Sequence, residues 1–168
     1  PSAPPPGMLG ALIEESTPMT ESDSTLQGRL ADILAGRAGI PAEGEPVAGL
    51  PHAREIAMRL HAAAGGVAEV SVPYDPRLVG DPETGVLHGG VITTLLDTAC
   101  GIAVMVSRGE LTGTATLDLR IDYMRPARRG ETVRARAECY RLTSAIAFAR
   151  AVAYHAHPGE PIASAAGA

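Results

Sequence analysis

The segment from Gly89 to Ser107 constrains this chain more than any other, because its pattern is that of one long apolar helix. Its single charged residue, Asp97, arrives more than two turns after the start. A carboxylate in apolar surroundings is costly to ionise, so its presence at mid-helix indicates a cleft or a function. The segment is barely long enough to span a membrane. With Asp97 at its middle and several glycines and threonines, a buried core helix is the better interpretation.

The helix is preceded by a histidine and begins with two glycines, His88-Gly89-Gly90. Paired glycines bare backbone N–H groups where a helix starts, so an acceptor oxygen can approach closely. We therefore expect an oxyanion-type site, with the His88 ring fixing the loop through a backbone hydrogen bond. Helical spacing places Gly90, Thr94 and Asp97 on one small, polar stripe, which predicts a cleft where Gly90 and Thr94 contact substrate.

Alternation of apolar and polar residues, interrupted by glycines and prolines, predicts the other elements. We expect strands at Ile56–Ala63, Val67–Val72, 115–123, Glu131–Leu142 and Ala145–His155, short helices at Leu26–Ala38 and Leu50–Glu55, a loop at Tyr74–Gly85 and a short tail after Pro161. In the third strand, Ala115, Leu117, Leu119, Ile121 and Tyr123 share one side, which predicts a buried face.

This order of elements predicts an α+β fold, in which an antiparallel sheet of five to six strands wraps around one long central helix. Such a sheet has an open edge, so pairing with a second copy of the chain is expected. The last strand carries alanines at 147, 149, 151 and 153 on one side. This row of small side chains would let the central helix approach closely.

Charge is distributed unevenly along the chain. Residues 1–51 hold seven acidic residues against two arginines, and residues 112–150 hold eight arginines against four acidic residues. We interpret residues 1–45 as an acidic, Pro/Ser-rich arm and residues 46–168 as the folded domain, whose mildly basic region suits an anionic ligand. A nucleic-acid partner is not expected, because there is neither a dense basic stripe nor enough aromatic residues for base stacking.

Other classes of site find little support. Cys100 and Cys139 have no motif spacing, and no secretory signal is visible, which favours a reduced, cytoplasmic setting without a membrane. His155 and His157 lack a further ligand at metal spacing, so we expect surface histidines and no metal site. No serine-hydrolase, P-loop or dinucleotide motif is present.

Two runs carry a family resemblance. GVLHGGVITTLLDTACG at residues 85–101 and TLDLRIDYMRPARRGE at residues 116–131 resemble the hotdog-fold acyl-CoA thioesterases of the phenylacetate-pathway, PaaI-like type. That family has an Asp nine residues after the His of His-Gly-Gly, and Asp97 follows His88 by nine. The resemblance covers about residues 46–168. It implies hydrolysis of acyl- or aroyl-CoA without a cofactor, by homodimers or homotetramers that share active sites.

The resemblance also implies individual roles. The N–H of Gly89 would polarise the thioester carbonyl, and Asp97 of the other subunit would activate water or attack directly. Thr116 falls where the family often has a Ser or Thr that holds the Asp or its water. Asp81 stands where the family has Asn. An ionised Asp can only accept hydrogen bonds, and close to Asp97 it would raise the pKa of one of the two carboxyls.

Arg125, Arg128 and Arg129 lie in the turn after the third strand, where a turn of this fold can meet the phosphates of CoA. Solvent-exposed charges are the simpler interpretation. Two alternative functions remain open from the sequence. Asp81 is compatible with a non-catalytic acyl-CoA-binding or sensor domain, and a hotdog dehydratase or hydratase fits the paired glycines less well.

Overall fold

The computed structural model describes residues 28, 31–33, 38–47, 49–109 and 113–168. Within them, two helices are assigned, α1 (Pro51–Glu55) and α2 (Gly89–Arg108). The strands are β1 (Glu45–Pro46), β2 (Arg59–Ala64), β3 (Val67–Val72), β4 (Val79–Asp81), β5 (Val86–Leu87), β6 (Leu119–Tyr123), β7 (Val133–Leu142), β8 (Ala147–Tyr154) and β9 (Ala163–Gly167).

An antiparallel sheet of seven strands wraps around α2. Its order is β1-β2-β3-β7-β8-β9-β6, and β4 and β5 form a separate small hairpin. The central helix packs against β3, β7 and β8. This is the hotdog arrangement that the sequence implies, and the α+β prediction is confirmed. The sheet exceeds the expected five to six strands.

The helix α2 is long because both of its ends are capped and one side is buried. It ends at Gly109, whose positive φ of 70° lets its N–H reach the carbonyls of Met105 and Val106. Its core side includes Leu95, Leu96, Ala99 and Ile102, which are almost fully buried. Although α2 is long and apolar enough to cross a membrane, it is the core helix of this fold.

The small side chains of β8 have the predicted role. Ala149, Ala151 and Ala153 are buried, and β8 contacts α2. Burial of many such atoms drives the packing, at about 25 cal/mol per Å² of apolar surface. The β2–β3 hairpin, its turn at Gly65 and Gly66, and the strand over residues 133–142 also agree with the sequence patterns.

Other predictions were wrong in detail. The expected tail after Pro161 is the strand β9, which pairs with both β8 and β6. The expected loop before the helix contains the β4–β5 hairpin. Strand β2 begins three residues later than predicted, because the chain turns at Ala57, whose φ is 52°. Of the predicted helix over residues 26–38, positions 28 and 31–33 are helical, and residues 26, 27, 29, 30 and 34–37 lie outside the described residues, as do residues 1–25.

The strand over residues 115–123 differs most from its prediction. Only Leu119–Tyr123 joins the sheet, as its edge strand β6. The side expected to be buried is open in one chain: Leu117 is 71% exposed and Tyr123 53%. Because Asp118 exchanges backbone hydrogen bonds with Ala168, strand alternation turns the N–H groups of Leu119, Ile121 and Tyr123 towards the free edge.

Candidate active site

The first turn of α2 is built by His88. As the N-cap residue it has extended backbone angles, and its Nδ1 accepts a hydrogen bond from the N–H of Gly90 at 2.9 Å. The ring therefore bonds a backbone group, as expected, and Nδ1 carries no proton in this arrangement. A side chain at Gly90 would collide with Nδ1 of His88, at 2.9 Å from an added Cβ. The second glycine is thus required by the cap.

The cap leaves one donor of the turn open. The N–H of Val91 donates to the carbonyl of His88 at 2.9 Å, and the N–H of Gly90 is bound to the His88 ring. Among the described residues, none accepts a hydrogen bond from the N–H of Gly89. An unpaired N–H at a helix start favours a negatively charged oxygen. The turn thus offers Gly89, and not Gly90, as a donor to a ligand.

The carbonyl of Gly89 is held from the sheet. The Tyr123 hydroxyl donates to it at 3.0 Å and lies 2.8 Å from Oγ1 of Thr93, whose own hydroxyl is 3.2 Å from the same carbonyl. Sequence reasoning missed both residues. Tyr123 had been placed on a buried strand face, and only its position at the sheet edge, next to the helix start, reveals this contact.

Asp97 lies farther along the helix and has a different neighbour. The hydroxyl of Thr116 donates to its Oδ1 at 2.8 Å, which is the partnership expected from the resemblance. Both residues line a cavity of about 440 Å³, here called the Asp97 cavity. Its wall is mostly small or apolar and includes Cys100, Gly101, Val104, Leu117, Ile146, Ala147 and Ala149. Burial raises the pKa of Cys100 to about 12, so its thiol stays protonated and belongs to the wall.

The residues of the polar stripe predicted on α2 line different cavities. Gly90 and Thr94 line a recess with His88, whereas Asp97 lines its own cavity and Gly89 a cleft that also includes Tyr123. Eight residues separate Gly89 from Asp97, or about 12 Å along a helix. The N–H of Gly89 and the carboxylate of Asp97 in one chain are therefore too far apart to act on the same carbonyl.

Asp81 is held by its own loop. Its carboxylate accepts from the hydroxyl of Thr84 at 2.6 Å and from the N–H of Glu83 at 3.0 Å. These bonds lower the pKa of Asp81 below its ordinary value. Within one chain, Asp97 is not among the causes of this shift, so the expected interaction of Asp81 with an Asp97 carboxylate stays a prediction.

The three arginines of the 125–129 turn have different surroundings. Arg128 pairs with Glu131 at 2.7 Å, and Arg125 donates to the carbonyl of Pro161 at 3.1 Å. In the described part of the chain, Arg129 has no hydrogen bond or ion pair. Its stem lies over Gly85, where an added Cβ would be 2.6 Å from Cδ. Arg129 is thus a fixed stem that ends in a free guanidinium.

His155 corrects another expectation. Its side chain is only 8% exposed, and it accepts from the N–H of Arg128 and contacts the carbonyl of Thr132, both at 3.0 Å. It fixes the arginine turn instead of lying free on the surface. Among the described residues there is no cluster of three or more side chains able to hold a metal.

Comparisons with known proteins place the chain among thioesterases. The profile of the Thioesterase superfamily matches residues 84–162. The medium/long-chain acyl-CoA thioesterase YigI of Escherichia coli K12 is 32% identical over 114 residues, which are 60% of this chain and 73% of YigI.

Comparison with solved structures also finds similar proteins. A Pseudomonas aeruginosa protein of 42% identity superimposes with a TM-score of 0.66 over 72% of this chain and 90% of its own. A mutant of PaaI, the phenylacetic acid degradation protein of Thermus thermophilus, is 27% identical and gives a TM-score of 0.62 over 70% of this chain and 96% of its own.

Proposed function

Because the chain belongs to the thioesterase superfamily and is a thioester hydrolase, we propose that it hydrolyses acyl-CoA in a site shared by two copies of the chain. The observation that carries this proposal is the N–H of Gly89, which has no acceptor among the described residues and lies about 12 Å along the same helix from Asp97. To act on one thioester, the Gly89 N–H needs a carboxylate nearby, and the Asp97 carboxylate needs a donor for the carbonyl oxygen. Within one chain these two groups are not close enough to serve each other.

The second copy supplies that counterpart. Gly89 of one subunit binds the thioester oxygen, and Asp97 of the partner subunit stands beside the carbonyl carbon. The open edge of β6, with outward N–H groups and exposed Leu117 and Met124, supports pairing with another β6. A homodimer is the smallest such assembly, and a homotetramer would repeat it.

The chemistry follows from these groups. The Asp97 carboxylate takes a proton from water as the water oxygen attacks the carbonyl carbon. Negative charge moves to the carbonyl oxygen, which the N–H of Gly89 stabilises; such a donor is typically worth about 3 kcal/mol. The carbon–sulfur bond then breaks, and the CoA thiolate leaves and takes up a proton. In the alternative, Asp97 attacks directly and water cleaves the resulting anhydride.

Thr116 and Asp81 complete the arrangement around the water. Thr116 fixes one Asp97 oxygen and leaves the other facing the cavity. Asp81 is exposed and keeps acceptor capacity beyond its bonds to Thr84 and Glu83. His88 acts through its cap, which aims the Gly89 donor, and Gly90 and Thr94 form the substrate-facing wall of the His88 recess.

The acyl chain and the CoA part of the substrate would contact different regions of the structure. The Asp97 cavity is lined mostly by small and apolar residues, which suits an acyl chain. An acyl chain agrees with the medium/long-chain substrates named for YigI. The guanidinium of Arg129, which has no partner among the described residues, suits a CoA phosphate, whereas Arg125 and Arg128 are already engaged. A cytoplasmic location accords with such a substrate.

Release of free thiol from octanoyl-, palmitoyl- and benzoyl-CoA tests the proposal, with three variants beside the wild type. Gly89→Pro removes the N–H in question and adds ring atoms near Tyr123. Proline is tolerated at the first helical position, and His88 already has the extended angles that precede it. Gly89→Ala is the matched control, because it retains the N–H and its Cβ would be 3.5 Å from Tyr123.

We expect Gly89→Pro and Asp97→Asn to lower kcat by about 100-fold or more and Gly89→Ala to change it little. Mixing the two inactive variants then tests sharing. If the subunits of the two variants redistribute at random, about a quarter of the sites combine an intact Gly89 with an intact Asp97. About a quarter of the wild-type activity should therefore return. Binding of acyl-CoA by wild type without thiol release would overturn hydrolysis. Hydrolysis without recovery on mixing would overturn the shared site.

A further inference from the structure

We propose that Tyr123 is a positioning residue for the N–H of Gly89, acting through its hydroxyl at the first turn of α2. The inference rests on the proposed function, in which that N–H binds the thioester oxygen. The hydroxyl donates to the Gly89 carbonyl at 3.0 Å and lies 2.8 Å from Oγ1 of Thr93. Through its bond to the Gly89 carbonyl, a side chain of the sheet that is exposed in one chain holds the backbone of the helix start.

The turn depends on hydrogen bonds for its orientation. Glycine is the least helix-favouring residue after proline, and Gly89 and Gly90 have no side chains to hold them by packing. The cap bond of His88 to Gly90 and the bond of Val91 to the His88 carbonyl both lie within residues 88–91. They give the turn its shape, and the N–H of His88, which donates to the carbonyl of Leu78 at 2.9 Å, ties its start to the loop before β4. Tyr123 is on β6, so its bond fixes the turn relative to the sheet.

Stability alone does not account for this contact. The Tyr123 ring is 53% exposed, so it contributes less to the core than a buried aromatic residue. The Gly89 carbonyl also has the hydroxyl of Thr93 as a donor, besides the helical N–H four residues on. The tyrosine hydroxyl is thus an additional donor. Its effect is on where the Gly89 peptide points, which matters most when the carbonyl oxygen becomes negative.

Tyr123→Phe removes the hydroxyl and keeps the ring. We expect kcat for octanoyl-CoA to fall about tenfold, with KM and Tm close to wild type, because a misdirected donor weakens transition-state binding more than substrate binding. Tyr140→Phe is the matched control. Tyr140 is 52% exposed, its ring lies beneath Arg150, and its hydroxyl has no hydrogen bond in the described part of the chain.

A second readout does not require turnover. In an Asp97→Asn background, the infrared carbonyl band of bound octanoyl-CoA should lie below that of the free thioester, because the Gly89 donor polarises it. Adding Tyr123→Phe should return the band towards the free value, and adding Tyr140→Phe should not. The inference would be overturned if Tyr123→Phe had the same kcat, or the same position of the carbonyl band, as the control Tyr140→Phe. A kcat loss matched by a loss of Tm would also overturn it, as would a rise in KM alone.

The two proposals fail differently. If wild type releases no thiol from any substrate, the proposed hydrolysis fails, and the carbonyl band still reports whether Tyr123 directs the donor. If wild type hydrolyses octanoyl-CoA and the band ignores Tyr123, the proposed function stands and only the positioning role is lost.

Discussion

At the scale of single residues, Arg129 shows how a neighbour without a side chain makes room for a long arginine stem. Its stem lies over Gly85, whose φ of 72° suits glycine, and its guanidinium has no acidic partner in the described residues. Arg128, one residue earlier, pairs with Glu131. Two adjacent residues of the same type therefore have different roles.

We predict that Arg129→Ala raises KM for octanoyl-CoA about tenfold and leaves kcat unchanged, because a phosphate contact remote from the carbonyl is lost. Arg128→Ala is the control and should change KM less. The KM effect should disappear with octanoyl-pantetheine, which lacks the phosphates. An equal effect on both substrates would contradict phosphate binding.

Asp81 is the residue at which the resemblance predicts a departure from the family pattern. Its carboxylate is fixed by Thr84 and Glu83, which lowers its pKa and keeps it an acceptor at neutral pH. We predict that Asp81→Asn raises kcat severalfold, because an amide keeps one acceptor oxygen for its loop and gains a donor towards the water. Steady-state rates at pH 7 check this, with Glu83→Gln as control. A lower kcat in Asp81→Asn would show that the carboxylate itself is needed.

At the scale of elements, the strands β2 and β3 carry a buried polar contact that makes stability depend on pH. Nε2 of His61 lies 2.7 Å from the hydroxyl of Ser71, which is buried. Burial lowers the pKa of His61 below its ordinary value of 6.5, and nearby Arg134 and Arg59 act in the same direction against Glu69.

The sign of the pH effect follows. Above pH 6.5 the ring is neutral in both states, and its full contribution to stability is present. As the pH falls below 6.5, the unfolded chain is protonated first, so the free energy of unfolding decreases until the pH passes the folded-state pKa. We predict that His61→Gln flattens the decline of Tm between pH 7.5 and 5, whereas exposed His157→Gln does not. Parallel curves for His61→Gln and wild type would contradict this account.

Helices and strands can be predicted from the sequence where apolar and polar side chains alternate clearly. The central helix, Val67–Val72 and the strand over 133–142 have clear apolar periodicity, and they were found where expected. Strand β9 was missed because Ala163–Gly167 contains only alanine, serine and glycine, which show no polar and apolar faces. The pairing of Gly89 with Asp97 is predicted from their spacing and stays a proposal. The contact of Tyr123 with Gly89 was not predicted, because it joins residues 34 positions apart.

At the scale of the whole molecule, the edge of β6 determines the proposed assembly. The N–H of Ile121 is at the middle of the outward-facing set, whereas its neighbours Arg120 and Asp122 bond to β9. A proline at such a position removes one donor from the edge without opening the ladder on the other side.

We therefore predict that Ile121→Pro shifts the protein from dimer to monomer in light scattering and lowers kcat/KM about 100-fold, with the circular dichroism spectrum retained. Ile121→Val keeps the N–H and should remain dimeric and active. A monomer with wild-type activity would contradict a site completed by the partner subunit.

The place of β9 in the sheet has a consequence for how the protein is made on the ribosome. Within the described residues, β6 has a single ladder neighbour, and that neighbour is β9, synthesised about forty residues later. Until Ala163–Gly167 has left the exit tunnel, β6 cannot join the sheet, and Thr116 and Tyr123 have no fixed position beside the helix. A nascent chain can thus bury its central helix early, yet the proposed pairing edge and the proposed shared site form only once the ninth strand has emerged.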